Sequence, residues 1–246
     1  MLRNVVLGAV LMATFCAAAS ATQAESADFR RSARVSIGAD GKVTALTFDN
    51  TKAENDLIGK RLEPLIRSWT FQPGTVNGQP MPTETTLQLD LEATKTADGR
   101  YAIKLLNAFT GPGVLSTRPP DYPQHEFKAE AEAVVNLTIA IDATGAPSDV
   151  TVADVTTNGT AVNKTNFGDA ARNAAKGWRF QPELVGGHPV ASHVSVPISF
   201  CMSGSSSQCP RFEKERAAHG DATPANTPVA LDSKVKLISP VVGTTF

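Results

Sequence analysis

A phrase of twelve residues occurs twice in the chain. The first copy, WTFQPGTVNGQP, begins at Trp69, and the second, WRFQPELVGGHP, begins at Trp178, an offset of 109 residues. Seven of the twelve positions are identical. Unrelated segments would share about one, because each common residue type makes up roughly 5–10% of a chain. The apolar pattern continues in the same register on both sides of the phrase, so we predict a duplicated structural unit.

The second copy predicts two strands, a helix and a third strand. AVVNLTIAID (133–142) alternates apolar and polar residues like a half-buried strand, and DVTVADV (149–155) resumes after the turn DATGAP. Between Phe167 and Trp178, apolar or small residues recur at helical spacings of three and four. ASHVSVPISF (191–200) alternates again, which predicts the third strand. Its inward positions are Val194, Val196, Ile198 and Phe200.

The first copy predicts the same order of elements. SARVSIGADGKVTALTF forms the hairpin, Leu57 to Trp69 the helix, and TETTLQLDLEA the third strand, while RYAIKLLNA adds a further strand. Pro64 interrupts the helical pattern, so this helix is expected to be kinked there or to start later than its counterpart. Each helix must cover one face of an antiparallel sheet, because each element has a single apolar face. The predicted fold class is α+β, with two tandem small β-β-α-β domains.

Two aromatic pairs follow the predicted helices. Trp69 and Trp178 stand at the helix ends, and Phe71 and Phe180 come two residues later. A large ring at this place anchors a helix to the sheet beneath it. We therefore predict structural roles for these four residues and find little support for ligand stacking.

The N-terminal residues have the layout of a secretory signal peptide. One Arg is followed by the uncharged stretch VVLGAVLMATFCAAAS and by small residues in ASA (19–21) and TQA (22–24). Cleavage is expected after Ala21 or Ala24. An uncleaved membrane anchor stays open as the alternative, although the apolar stretch is shorter than the ~20 residues of a usual span.

Cleavage would leave two of the three cysteines. Cys201 and Cys209 stand at the ends of CMSGSSSQC, and an even pair in an exported chain predicts a local disulfide. Two cysteines without a nearby histidine or second pair do not fill a tetrahedral zinc site. The predicted divisions are a signal peptide (1–24), a first domain (25–106), a linker (107–123), a second domain (124–209) and a mobile tail (210–246). The tail is polar and Pro/Ala-rich, although KVKLISPVVG within it could add a short strand.

No catalytic constellation is recognisable in the chain. The four histidines form no H-E-x-x-H motif, and there is neither a G-x-S-x-G motif nor a Walker loop. The formal net charge of −1 gives no electrostatic case for nucleic-acid binding. We predict a protein that is not an enzyme and that uses no cofactor or metal.

Four motifs in the second copy resemble the C-terminal domain of TonB proteins over about residues 118 to 200. They are PPDYP (119–123), VNLTIAIDATGAPSDVTV, AAKGWRFQP and VSVPISF, in that order. The first copy keeps WTFQP but lacks the Tyr-Pro motif, so it looks like a diverged domain of the same family. The resemblance implies a periplasmic protein whose partners are peptides of outer-membrane TonB-dependent transporters or other envelope proteins.

The resemblance also implies strand addition, in which an extended peptide pairs with an open sheet edge. Pro197 lies within the third strand and cannot donate to a ladder, which indicates an open edge there. The predicted peptide-binding residues are Tyr122, Pro123, Val194, Val196 and Ile198. In the alternative interpretation, Tyr122 and Pro123 only pin the linker to the sheet.

The family's energy transducers carry a membrane anchor and a long Pro-rich spacer, whereas here about ten residues separate the predicted signal from the first domain. We therefore expect peptide binding linked to transport, but without energy transduction. An envelope structural or adaptor protein with no transport role is the other hypothesis.

Overall fold

The computed structural model describes residues 26–49, 56–157, 162–202 and 227–246. The predicted signal peptide and Cys209 lie outside these residues, so neither the cleavage nor the disulfide is tested. Among the helices of the described part, none is long and apolar enough to cross a membrane.

The described residues of the first half, 26–49 and 56–111, form one helix and seven strands. They are β1 (Ser26–Ile37), β2 (Val43–Phe48), α1 (Leu57–Ser68), β3 (Phe71–Gln72), β4 (Thr75–Val76), β5 (Gln79–Pro80), β6 (Thr83–Lys95) and β7 (Tyr101–Gly111). Asp56 caps α1 by accepting a hydrogen bond from the Gly59 N–H at 2.8 Å. Pro64 lies inside α1, so the helix does not start later than the pattern predicts.

The sheet of the first half is antiparallel throughout. β1 lies between β2 and β6, and β7 pairs with the other side of β6. Alternate residues of these strands point toward α1, because successive side chains of a strand face opposite sides. The core contains Ala33, Val35, Ile37, Leu62, Ile66, Trp69, Phe71, Leu87, Leu89 and Leu91.

The second half comprises residues 113–202, and its described parts, 113–157 and 162–202, form two helices and seven strands. They are β8 (Gly113–Ser116), α2 (Gln124–Lys128), β9 (Ala133–Ile141), β10 (Pro147–Thr157), α3 (Lys164–Ala175), β11 (Arg179–Gln181), β12 (Glu183–Val185), β13 (His188–Val190) and β14 (Ser192–Phe200). β9 lies between β10 and β14, and α3 packs on this antiparallel sheet. The predicted hairpin, helix and third strand are confirmed in both halves, and the α+β class is confirmed with them.

One sheet contains strands from both halves, so the halves are in contact and are not two separate consecutive units. The hairpin β12–β13 pairs with β6, with Val185 opposite Thr83 and Leu184 opposite Glu84. The guanidinium of Arg34 also donates to the carbonyl of Pro182 at 3.1 Å. Much of the predicted linker lies in β7 and β8, and β8 pairs with β11. The division into two tandem domains therefore stays a prediction.

The C-terminal segment, residues 227–246, returns along both halves. It contributes β15 (Val229–Ala230), which pairs with β14, and β16 (Lys236–Leu237), which pairs with β3. Its last residue, Phe246, exchanges two main-chain hydrogen bonds with Ile103 of β7, at 2.9 and 3.1 Å. The structure thus differs from the expected mobile tail over these residues. The reason is that Val235, only 1% exposed, inserts into the core of the first half.

Candidate functional site

Strand β14 is the third strand of the second half and the centre of the predicted peptide site. It pairs with β9 along its whole length, from Ser192 opposite Ile141 to Phe200 opposite Ala133. The side chains of Val194, Val196 and Ile198 are at most 2% exposed and belong to the core. Their predicted part in peptide binding is untested. With these three side chains buried, a partner could meet the main chain of β14 and its outward side chains, such as that of the exposed His193.

The outer edge of β14, on the side away from β9, has a defined set of main-chain groups. The N–H of Leu231 donates to the carbonyl of His193 at 2.8 Å, while Ser195 lies opposite Val229. Hydrogen-bonding groups of antiparallel strands alternate between the two sides, so His193, Ser195 and Pro197 direct their main-chain groups outward. Pro197 therefore leaves the ladder to β9 complete and removes one donor from the outer edge.

Strand β15 occupies part of this edge. Within the described residues it pairs with β14 at two positions, Val194 and Ser195. Next to it, Asp232 accepts hydrogen bonds from the main-chain N–H of His193 at 2.7 Å and meets the ring Nδ1 at 3.0 Å. Burial acts to raise the pKa of Asp232, but the hydrogen bonds from His193 outweigh it and the pKa is lowered.

Tyr122 packs at the end of β14, beside Phe200. Its ring meets the rings of Phe127, Phe167 and Phe200 edge-on, with centroids 5.5 to 5.7 Å apart. Its hydroxyl donates to the carbonyl of Ala131 at 2.5 Å. Burial raises the pKa of Tyr122 to about 12. These contacts give Tyr122 a packing function, in line with the alternative that it pins the preceding segment to the sheet.

Pro123 stands where the segment before β9 turns into α2. It is the N-cap residue of α2, and its carbonyl accepts a hydrogen bond from the Phe127 N–H at 2.9 Å. A role of Pro123 in peptide binding is neither supported nor opposed by this contact.

The four aromatic residues predicted as structural are all buried. Trp69 and Trp178 are 6% and 5% exposed, and Phe71 and Phe180 are 2% and 1% exposed. The indole N–H of Trp178 donates to the carbonyl of Arg118 at 2.9 Å, which ties the linker to the end of α3.

Two buried carboxylates were not singled out by the sequence patterns. Glu183 is completely buried and accepts hydrogen bonds from Thr85 Oγ1 at 2.6 Å, Ser233 Oγ at 2.8 Å and the Lys234 N–H at 2.9 Å. It therefore joins the first half, the second half and the C-terminal segment. Glu126 is also fully buried, and the hydrogen bond from Asn166 lowers its pKa. A polar residue in a short strand or helix carries no periodic signal that would have identified either one.

A polar groove of about 470 Å³ lies between the halves, next to the start of β15. Arg30, Trp178, Thr227 and Pro228 contribute to its walls. The guanidinium of Arg30 binds Asp90 at 2.7 Å and also donates to the hydroxyl of Thr227. The groove thus ends where the C-terminal segment meets β14.

Comparison with known proteins identifies relatives of the second half. A family model described as Gram-negative bacterial TonB protein C-terminal matches residues 118–202. Two curated relatives, both Protein TonB from Xanthomonas campestris pv. campestris (strains B100 and ATCC 33913), are 32% identical to the chain over 85 residues. That stretch is 35% of this chain and 35% of each relative, so the chain spans about a third of the length of the relatives it matches. The resemblance to the TonB C-terminal domain is therefore confirmed for residues 118–202, and for the first half it stays a prediction.

Proposed function

We propose that the second half binds an extended peptide by strand addition along the outer edge of β14. The favoured partner is an N-terminal segment of an outer-membrane TonB-dependent transporter, and the binding serves transport across the outer membrane. The similarity of residues 118–202 to the TonB C-terminal domain supports this partner class. No catalytic step is part of the proposal.

The edge of β14 is the observation that carries the proposal. Its counterpart in the first half is β6, which the repeat offset places in the same register. β6 is covered by β12 at Thr83 and Glu84, and by β7 from Thr86 to Lys95. On β14, the described residues provide only the two-residue pairing with β15. A strand edge that is paired over so short a length among the described residues can be extended by an added strand, whose main chain supplies donors and acceptors.

Side-chain selectivity has to come from groups beside the edge, because the inward side chains of β14 belong to the core. The groove that contains Arg30 and Trp178 lies next to the occupied end of this edge. Arg30, which also binds Asp90, provides a hydrogen-bond donor there and would favour a hydroxyl or carboxylate on the incoming peptide. In this proposal, main-chain hydrogen bonds of β14 supply the affinity, and the side chains of the groove supply the preference among peptide sequences.

A titration monitored by NMR tests the proposal. The mature protein is titrated with a synthetic transporter N-terminal peptide, and we expect saturable shifts at residues 195–200 of β14. Two N-methylated versions of the peptide are the matched controls. Methylation on the face that pairs with β14 should abolish binding, and methylation on the opposite face should not, because only the first removes a paired donor. Shifts confined to β10, or no binding at millimolar peptide, would exclude this site.

An uptake assay separates the two functional hypotheses. A strain that lacks this protein should take up a TonB-dependent substrate more slowly if the proposed link to transport is correct. Unchanged uptake together with an altered envelope would instead favour a structural or adaptor role. The expectation of binding without energy transduction is tested in a strain that lacks TonB, where the protein should fail to restore uptake.

A further inference from the structure

We propose that residues 227–230 are a built-in occupant of the outer edge of β14, which an external peptide has to displace. The need for displacement rests on the proposed function, since it assumes that the peptide uses this edge. The occupancy and its opening are properties of the chain alone and can be tested without any transporter peptide.

The C-terminal segment is held by contacts beyond its two residues that pair with β14. Thr227 is 2% exposed, and its hydroxyl accepts a hydrogen bond from Arg30. Val229 and Ala230 follow in register with Ser195 and Val194. The contacts therefore run continuously from the polar groove onto the strand edge.

Anchors directly after β15 hold the occupant in place. Asp232 binds the main chain and ring of His193, and Ser233 and Lys234 donate to the buried Glu183. Because β15 is covalently attached, it competes with an external peptide as an intramolecular ligand. Effective concentrations of such ligands reach the millimolar range, so even a short pairing can exclude weak competitors.

In the sheet of the second half, the pairing between β15 and β14 is nevertheless the easiest to break. Within the described residues, β14 pairs with β9 over all nine of its positions and with β15 over two. Pro197 cannot donate a hydrogen bond to an extension of β15 beyond Ser195. Release of β15 therefore breaks few strand-pairing hydrogen bonds and leaves the pairing of β14 with β9 intact, which is the condition for local opening.

The occupant also indicates which peptides suit the edge. A residue in the place of Thr227 should offer an acceptor to Arg30, as serine, threonine, aspartate and glutamate do. The place of Ala230 requires a small side chain, because Gly111 of β7 approaches it closely. A Cβ built on Gly111 would lie 2.6 Å from the Ala230 Cβ. We therefore infer an external ligand that has a hydroxyl or carboxylate three residues before a small residue.

The close approach of Gly111 provides the test. In Gly111→Ala the new methyl group collides with Ala230 and should push β15 away from β14. The backbone of Gly111 does not have a positive φ, so alanine adds no backbone strain there. Adding Ala230→Gly removes the colliding methyl group and should restore the pairing. An effect of Gly111→Ala that disappears in the double variant is therefore caused by displacement of β15.

Hydrogen exchange at alternate residues of β14 reports the result. The amide of Ser195 faces β15, while those of Val194 and Val196 face β9. Exchange at Ser195 should be about tenfold faster in Gly111→Ala, unchanged at the other two residues, and near the parent rate in the double variant. Unchanged exchange at Ser195 in a folded Gly111→Ala protein would overturn the proposal. If that variant does not fold, Asp232→Ala is measured in its place with the same expectation for Ser195.

A peptide probe based on the chain's own sequence completes the test. The peptide TPVGLDS, which corresponds to residues 227–233 with glycine in the place of Ala230, fits beside the new methyl group. It should bind Gly111→Ala with an affinity about tenfold higher than the parent protein, because the competing segment is released. Equal affinity for both proteins would contradict the proposal. If this probe binds and transporter peptides do not, the inference stands and the proposed function fails. If transporter peptides bind without affecting Ser195, the proposed function needs another edge and the displacement is refuted.

Discussion

The two halves of the molecule carry the same turn but differ in what covers the third strand. In the first half, the Phe71 N–H donates to the Gly41 carbonyl at 2.9 Å. In the second, the Phe180 N–H donates to the Gly145 carbonyl at the same distance. The outer edge of β6 is nevertheless covered by β12 and β7, while the strand that pairs with the outer edge of β14 within the described residues is the short β15.

This difference shows that two strands with similar local sequences can have outer edges that are covered to different extents. RYAIKLLNA follows β6 after a short turn and folds back as β7, whereas CMSGSSSQC follows β14. One edge is consequently covered by the next strand in the chain, and the other by a segment that is distant in sequence. A sheet edge becomes a binding surface only where the neighbouring chain leaves it accessible.

The largest expected effect compares the two tryptophans. Trp69→Ala and Trp178→Ala should each lower the free energy of unfolding by about 3–5 kcal/mol, because both rings are buried. The loss should be greater for Trp178, whose indole also donates to the Arg118 carbonyl. Denaturant melts of both variants and the parent measure the difference. An equal or larger loss for Trp69→Ala would show that the Arg118 contact contributes little.

The next effect concerns Glu183, which connects the halves. Glu183→Ala should cost about 3 kcal/mol, since it removes a charged acceptor and leaves the donors of Thr85, Ser233 and Lys234 without it. Glu183→Gln keeps an acceptor oxygen and should cost less. Thermal melts give the stability, and hydrogen exchange in residues 233–237 shows whether the C-terminal segment is released. Full protection there in Glu183→Ala would contradict the assigned role.

The predicted Cys201–Cys209 disulfide would distinguish the end of the second half from that of the first. A loop of this length is expected to stabilise the fold by roughly 2–3 kcal/mol through restriction of the unfolded chain. Alkylation after unfolding of the oxidised protein should detect no free thiol, and reduction should lower the melting temperature. Two reactive thiols in the exported protein would refute the pairing.

Two glycines in corresponding turns test whether these turns contribute equally to the stability of the two halves. Gly41 and Gly145 have φ near +80°, and an added Cβ would lie 2.2 and 1.9 Å from the carbonyl oxygens of Phe71 and Phe180. Alanine at either position should cost roughly 2 kcal/mol or more from strain and collision. Gly99→Ala is the matched control, because Gly99 has the same φ sign but open space around it. Its cost should be roughly 1 kcal/mol. If chemical denaturation shows the same loss of stability for Gly99→Ala as for the other two variants, the close contact with the carbonyl oxygen does not contribute to the cost.

The smallest effect is a pH dependence at the edge of β14. The lowered pKa of Asp232 means that its contribution is present above the pKa of the unfolded chain, near 4, and is lost as the pH falls through the lower folded value. Exchange at Ser195 should therefore become faster on acidification, relative to exchange at Val194, after correction for the intrinsic rate. Asp232→Asn should remove most of this dependence. If the pH dependence of exchange at Ser195 persists in Asp232→Asn, another titrating group causes it.

Much of each half followed from short-range patterns. The alternation in AVVNLTIAID and the spacing of Phe167, Ala171 and Ala175 correspond to β9 and α3 within a few residues. The predicted peptide site stays untested, and its surroundings are not readable from short-range patterns. The side chains of Val194, Val196 and Ile198 belong to the core. The edge of β14 presents main-chain groups, which every residue type except proline provides alike. Asp232 and Arg30 lie at the edge through contacts that no local pattern encodes.

By itself, the sequence determined the order of hairpin, helix and third strand in each half and the burial of Trp69, Phe71, Trp178 and Phe180. These features depend on hydrophobic periodicity and on turn residues that act over a few positions. Only the tertiary structure decided that β12 and β13 extend the sheet of the first half, and that residues 227–246 lie across both halves. The physical reason is that pairing between distant strands uses the same N–H and C=O groups everywhere in the chain, so its partners are selected by which edges the packed cores bring together.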